Sequence, residues 1–142
     1  MYGTTDTEFA PNEETTRGML VTILYRMTGS PEVSYDGSEW YAAGRAWAME
    51  NEISDGTNMP NNVTREQLVS MLWRYDGSNE VESDMLNDFT DSDKVSDYAV
   101  NAMKWALENG IISGESDTTL NPKGNATRAQ MAAMIMRYKN IK

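Results

Sequence analysis

Apolar residues recur at four fixed offsets behind three threonine–arginine dipeptides. Behind Thr127-Arg128-Ala129-Gln130 they are Met131, Met134, Ile135 and Tyr138. Behind Thr64-Arg65-Glu66-Gln67 they are Leu68, Met71, Leu72 and Tyr75, and behind Thr16-Arg17 they are Leu20, Ile23, Leu24 and Met27. Spacing of i, i+3, i+4, i+7 is one face of a helix, so three helices are predicted, each burying one stripe. A threonine before such a run is a good N-cap, because its hydroxyl accepts from an N–H group left without a partner in the first turn. Gln67 and Gln130, three residues on, add a capping box in the second and third copies; Met19 holds that place in the first. A second arginine follows at one shared offset, as Arg26, Arg74 and Arg137.

Another pattern precedes two of these helices. Trp40, Gly44, Trp47, Ala48 and Ile53 are answered by Tyr98, Ala102, Trp105, Ala106 and Ile111, apolar or small at helical spacing. The shared string is clearest as Trp47-Ala48-Met49-Glu50-Asn51 against Trp105-Ala106-Leu107-Glu108-Asn109. Gly110 suits a left-handed helix C-cap; its counterpart is Glu52, so that cap is expected to differ. Gly56 and Gly114 mark the loops that follow. Each full unit is therefore a helix, a loop of roughly ten to sixteen residues holding Gly and Pro, and a Thr-Arg helix.

The start of the chain fits the same scheme. Gly3, Asp6, Thr7, Pro11 and Thr16 line up with Gly114, Asp117, Thr118, Pro122 and Thr127, and Phe9 sits where Leu120 does. Met1 then falls where Ile112 falls, and the first unit lacks its front half. The expected division is residues 1–29 as the second half of a first repeat, 30–78 as a second and 79–142 as a third. Gly29-Ser30-Pro31 breaks the chain after the first, and the polar, acidic stretch from Asp76 to Asp88 separates the others. The expected fold class is all-α, built of tandem helix–loop–helix repeats. The chain is expected to be a fragment whose targeting segment lies elsewhere.

Composition narrows the function classes. At 142 residues, 39% hydrophobic, with four Trp and seven Tyr, the chain can build a core. A net charge of −10 and a pI near 4.4 argue against nucleic acid or anionic membrane as partners. No apolar run is long enough to insert in a membrane. Neither cysteine nor histidine occurs, which removes disulfides, thiolate and imidazole metal sites, and Ser-His or Cys-His catalysis. Asp91-Ser92-Asp93 opens like a calcium loop, but Val95, Ser96 and Ala102 stand where that loop needs a ligand, a glycine and a glutamate. No Gly-rich phosphate loop is present, and no carboxylate pair stands out from the acidic background. No cofactor, no metal and no enzymatic activity are expected.

The order Phe-x-Asp, aromatic, Trp-Ala, Gly-Ile, Gly, Asp, Pro, Thr-Arg-x-Gln, Arg resembles the S-layer homology domain. Phe89-Thr90-Asp91 supplies the opening, Gly110-Ile111 the middle and Thr127-Arg128-Ala129-Gln130 the close, where the family usually ends in Glu. The resemblance implies a pseudo-threefold helical bundle with ligand grooves between adjacent repeats. It also implies a secreted, cell-surface role: noncovalent attachment to wall-linked polysaccharide, often pyruvylated, in Gram-positive-type walls. The second copy departs from the pattern. It has Val33-Ser34-Tyr35-Asp36 in place of Phe-x-Asp, and its loop between Gly56 and Pro60 is several residues shorter.

The arginines carry a chemical argument of their own. Arg17, Arg65 and Arg128 stand at first helical positions, where the helix dipole disfavours a cation by a few tenths of a kcal/mol to ~1 kcal/mol. Three such placements suggest a use. Free N–H groups at a helix start favour an anion, and a guanidinium beside them adds a fork that can hold a carboxylate by two bonds. The candidate ligand set is Arg128, Arg65, Arg17, Asp91, Gln130, Gln67 and Trp40, with Asp91 orienting a guanidinium and Arg17, in the incomplete copy, mattering least. The alternative is that each arginine pairs with an acidic neighbour across a repeat interface. Trp40 and Tyr98 are candidates for a sugar-facing aromatic, with core as the alternative; Trp47 and Trp105 are assigned to the core, and Arg26, Arg74 and Arg137 to structural duty. The rival function is a helical protein-interaction or self-assembly module without glycan binding. The half repeat should leave an apolar strip, inviting homo-oligomerisation or occupation by a neighbour.

Overall fold

The computed structural model describes residues 13–112 and 119–141, and regular structure there is helical, as expected. The helices are α1 (Arg17–Met27), α2 (Ala42–Glu50), α3 (Arg65–Tyr75), α4 (Val100–Glu108) and α5 (Arg128–Asn140), with short 3-10 turns between α3 and α4. α1, α3 and α5 begin at the Thr-Arg dipeptides. The hydroxyls of Thr16, Thr64 and Thr127 accept from the N–H groups of Met19, Gln67 and Gln130. The Gln67 and Gln130 side chains accept in return from Thr64 and Thr127, completing capping boxes in those two copies. Gly3, Asp6, Thr7, Phe9, Pro11, Gly114, Asp117 and Thr118, used in the sequence alignment, lie outside the described residues.

The residue before each cap belongs to a closed ring of backbone hydrogen bonds. Thr15 N–H donates to the Ala126 carbonyl at 2.8 Å, Ala126 N–H to Val63 at 3.0 Å, and Val63 N–H to Thr15 at 2.8 Å. A second ring runs outside it: Arg17 N–H donates to Asn61, Arg65 N–H to Gly124, and Arg128 N–H to Glu13, at 2.8–2.9 Å. Each acceptor stands three residues ahead of the next copy's cap. Three copies close the ring, which makes the arrangement pseudo-threefold. The three helix starts are thus tied to one another through backbone groups, in addition to their side-chain caps.

Helix pairs enclose one continuous core. α2 packs on α1 and α4 on α3, and Leu20, Leu24, Leu68, Leu72, Met103 and Met131 are fully buried among them. Trp47 and Trp105 are core residues, as expected, within an aromatic chain of Tyr25, Trp47, Tyr75, Tyr138 and Trp105 with neighbouring ring centroids 5.8–6.1 Å apart. The Arg74 guanidinium donates to the Ile53 carbonyl and Arg137 to the Ile111 carbonyl, so these second arginines staple equivalent loops. One expectation fails. Glu52 has φ +59°, close to the +71° of Gly110, and both caps lead into an i→i−5 bond of 2.8 Å, from Ile53 to Ala48 and from Ile111 to Ala106. The C-caps are alike, because the loop geometry overrides the local preference of glutamate.

α5 has no helix packed on it as α2 packs on α1, among the described residues. Its face forms an apolar groove with α1, lined by Ile23, Met27, Ala132, Ile135 and Met136. The half repeat is expected to leave an exposed apolar strip; of these residues Met136 is exposed, Ile135 is buried, and Ile23, Met27 and Ala132 are half-buried. No helix among the described residues is long and apolar enough to cross a membrane.

Candidate functional site

The three helix starts share a motif but differ in what covers them. Their first N–H groups are not free, contrary to the expectation of an open anion site. Besides the ring bonds of Arg17, Arg65 and Arg128, Gly18 N–H donates to the Met59 carbonyl at 2.8 Å and Glu66 N–H to Pro122 at 2.9 Å. Neighbouring loops fill the place that an anion would take. Any ligand must therefore be held by side chains.

The α3 start is closed. Arg65 is only 3% exposed, and its Nε donates to the Leu120 carbonyl at 2.8 Å. Asp91 does not orient that guanidinium as expected; it grips the same loop from the other side, accepting from Leu120 N–H at 2.9 Å and Asn121 N–H at 2.8 Å. Burial pushes the Asp91 carboxyl up, but those two N–H groups outweigh it and hold it below its ordinary range. Glu66, next to Arg65, is a buried carboxylate with four donors: Ser96 N–H at 3.0 Å, Ser96 hydroxyl at 2.6 Å, Tyr98 hydroxyl at 3.1 Å and Lys123 Nζ at 3.1 Å. Burial again works upward, and the bonds from Ser96, Lys123 and Tyr98 prevail, so Glu66 stays ionised. Tyr98 is pushed up to about 12 by its burial and by Glu66, so its hydroxyl remains a donor.

The α1 start is open. Arg17, its side chain 15% exposed, donates from Nε to the Thr57 carbonyl at 3.1 Å and from Nη2 to Asp55 Oδ1 at 3.3 Å. It forms one wall of a groove of about 360 Å³ with Asp55, Gln67, Ser70, Arg74 and Tyr98. The groove thus draws on α1, the loop after α2, helix α3 and the approach to α4. Gln67 reaches it while its carbonyl oxygen caps α3, and its amide nitrogen has no partner among the described residues. Two guanidinium groups, one carboxylate, an amide and a phenol line one concave surface. Such a surface can hold an anionic, hydroxyl-rich ligand.

The α5 start is intermediate. Arg128 is nearly buried, with Nη2 at 3.7 Å from Glu13 and 4.0 Å from Met19 Sδ, and its Nε and Nη1 are buried without partners among the described residues. Gln130 serves its capping box. Trp40, 63% exposed, stacks edge-on against Tyr41 and stands outside the Arg17 groove; Tyr98, 48% exposed, lines it. Neither is core. Sequence reasoning missed Asp55, Arg74 as a groove residue, and the Glu66–Lys123–Ser96 cluster. Asp55 looked like one of 22 acidic residues. Glu66 carried a signal, since a carboxylate inside a capping-box motif on an otherwise buried helix start needs a partner.

Comparison with known proteins decides the family. Residues 88–132 match the S-layer homology domain profile. The chain carries an S-layer homology domain over residues 88–132. Domains of this family are noncatalytic modules that anchor surface proteins at the cell wall. Similar curated proteins include an amylopullulanase of Thermoanaerobacterium thermosulfurigenes (33% identical), the exoglucanase XynX of Acetivibrio thermocellus (35%) and an endoglucanase of Bacillus sp. strain KSM-635 (30%). Each similarity covers 94% of this chain but only 8%, 14% and 16% of the respective relative. The activities in those names belong to proteins many times longer than this S-layer homology chain.

Proposed function

We propose that the chain anchors a secreted protein noncovalently to wall-linked polysaccharide by taking a sugar carboxylate, such as a pyruvate ketal, into the Arg17 groove. One observation carries this reading: Arg17 and Arg74 line one open groove whose one acidic lining residue is Asp55, on a chain whose net charge is −10. A cationic recess on an acidic surface is an exception that structure alone does not require. Arg17 and Gln67 are the proposed ligand residues of the original set, joined by Arg74, Ser70 and Tyr98. Arg128 offers a second, narrower anion contact, and Trp40 an exposed ring for a sugar face. Arg65, Asp91 and Gln130 are assigned to holding the helix starts and the loop before α5. The repeats are proposed to divide at residues 1–29, 30–78 and 79–142.

The rival, an interaction module without glycan, draws on the ion pairs Arg17–Asp55 and Arg128–Glu13, which already partner two of the arginines. Both pairs have a partner more than half exposed, where such contacts contribute ~0–1 kcal/mol. The apolar groove between α1 and α5 suits a helix of the α2 and α4 kind, which a second copy of this chain would supply in solution. Purified cell walls separate the two readings. The chain should sediment with intact walls and lose that binding once the wall polysaccharide is stripped; binding unchanged by stripping would favour the interaction module.

A further inference from the structure

We propose that Asp55 tunes the anion affinity of the Arg17 groove: it acts as an internal carboxylate that competes with the ligand for Arg17 and subtracts more from the binding of a dianion than from that of a monoanion. The inference rests on reading the groove as a carboxylate site. Asp55 Oδ1 accepts three hydrogen bonds, from Thr57 N–H at 3.0 Å, Thr57 Oγ1 at 2.7 Å and Arg17 Nη2 at 3.3 Å. The longest goes to the arginine. If a ligand takes that Nη2, Asp55 keeps both Thr57 bonds and remains in place, still charged, at the rim. Arg17 also keeps its orientation, because its Nε is tied to the Thr57 carbonyl. The exchange therefore moves no backbone.

Charge sets the size of that effect. Two guanidinium groups against one carboxylate leave the lining with a net charge of +1, so Asp55 offsets part of the attraction that draws any anion in. A dianion meets the Asp55 charge with twice the repulsion that a monoanion meets. Thr57 first, with burial slightly opposing and Arg17 adding to it, holds the Asp55 carboxyl below its ordinary value, so the charge persists at neutral pH. The Asp55 side chain is 69% exposed, so its charge faces the groove mouth and not the core. In the sequence, the third copy has Ser113 at the counterpart of Asp55, so the repeat does not require an acid there.

The test compares wild type, Asp55→Asn and Arg17→Ala by calorimetric titration with two probes. One is a methyl hexoside bearing a 4,6-pyruvate ketal, with one carboxylate; the other is hexose 6-phosphate at pH 8, a dianion. Asp55→Asn should bind the ketal about threefold tighter and the phosphate about tenfold tighter, since the repulsion removed doubles with ligand charge. Weaker or unchanged ketal binding by Asp55→Asn would overturn the inference, because Asp55 would then be orienting Arg17. Equal gains for both probes would overturn it too. Loss of ketal binding in Arg17→Ala, with the fold intact by circular dichroism, ties the effect to this groove. Wild-type protein that binds neither probe would remove the carboxylate reading and the inference with it.

Discussion

The starts of α3 and α1 are the same motif with opposite fates. Both open on Thr-Arg, both cap on threonine, and both arginine N–H groups donate to the neighbouring loop in the same ring. At α3 the loop of residues 120–124 lies over Arg65 and is held from behind by Asp91. At α1 the counterpart loop is several residues shorter and lacks an equivalent aspartate clasp among the described residues, so Arg17 remains at the edge of a groove. The next residue follows suit. Glu66 is buried against Ser96, Tyr98 and Lys123, whereas at Gly18 a Cβ would come within 3.1 Å of the Tyr41 ring. Tyr41, just before α2, stands in sequence where Ala99 stands just before α4, and its ring lies against Gly18. The neighbour's loop, more than the helix itself, decides whether an arginine is structural or available.

Removing Glu66 should break the closed start and have the largest effect on stability. Glu66→Ala leaves four donors, on Ser96, Tyr98 and Lys123, without their acceptor and should cost about 3 kcal/mol, read as a lowered chemical-denaturation midpoint. Its carboxyl sits below the ordinary 4.5, so its contribution is complete above that value and is lost as pH falls through the lower, folded value. Wild-type stability should therefore decline at acid pH, and Glu66→Gln should flatten that decline. A pH profile identical in both proteins would remove Glu66 from the account.

Smaller changes sharpen the comparison by making one side resemble the other. Glu52→Gly gives the α2 cap the residue that the α4 cap already has at the left-handed position. It should stabilise the fold by about 1 kcal/mol, the cost of a side chain in that conformation. Thr15→Val addresses the inner ring, where Thr15 Oγ1 is buried without a partner among the described residues while Val63 and Ala126 are apolar. Filling the same volume without the hydroxyl should stabilise by somewhat less, up to about 1 kcal/mol. Thermal unfolding of both variants checks these signs, and a destabilised Glu52→Gly would show that the glutamate makes a contact worth more than its strain.

Most of the fold was legible because it is written in periodicity and caps. The stripes behind Thr16, Thr64 and Thr127 set α1, α3 and α5, and the Trp-Ala strings set α2 and α4, since these signals are local. The ring through Thr15, Val63 and Ala126 was not legible: it consists of backbone groups, and no side-chain pattern encodes it. The site was half legible. The arginines at the helix starts were visible in the sequence, but which of them a loop would bury depends on loop length and on Asp91, whose partners lie about thirty residues away in sequence. That is why Arg17, expected to matter least, lines the groove, and Arg65 does not. Asp55 and Arg74 enter only when the loop after α2 and the end of α3 meet.

Arg17→Ala and Arg65→Ala, measured side by side for affinity to purified wall polysaccharide and for thermal unfolding, test the division of labour most directly. Arg17→Ala should lose ~1.5–3 kcal/mol of binding, the scale of hydrogen bonds to a charged group, and keep the wild-type Tm. Arg65→Ala should lower the Tm clearly, because it leaves a buried loop carbonyl without its donor, and should weaken binding only as far as it unfolds the protein. An Arg17→Ala protein that binds wall polysaccharide with full affinity, or an Arg65→Ala protein that loses binding at an unchanged Tm, would contradict the account.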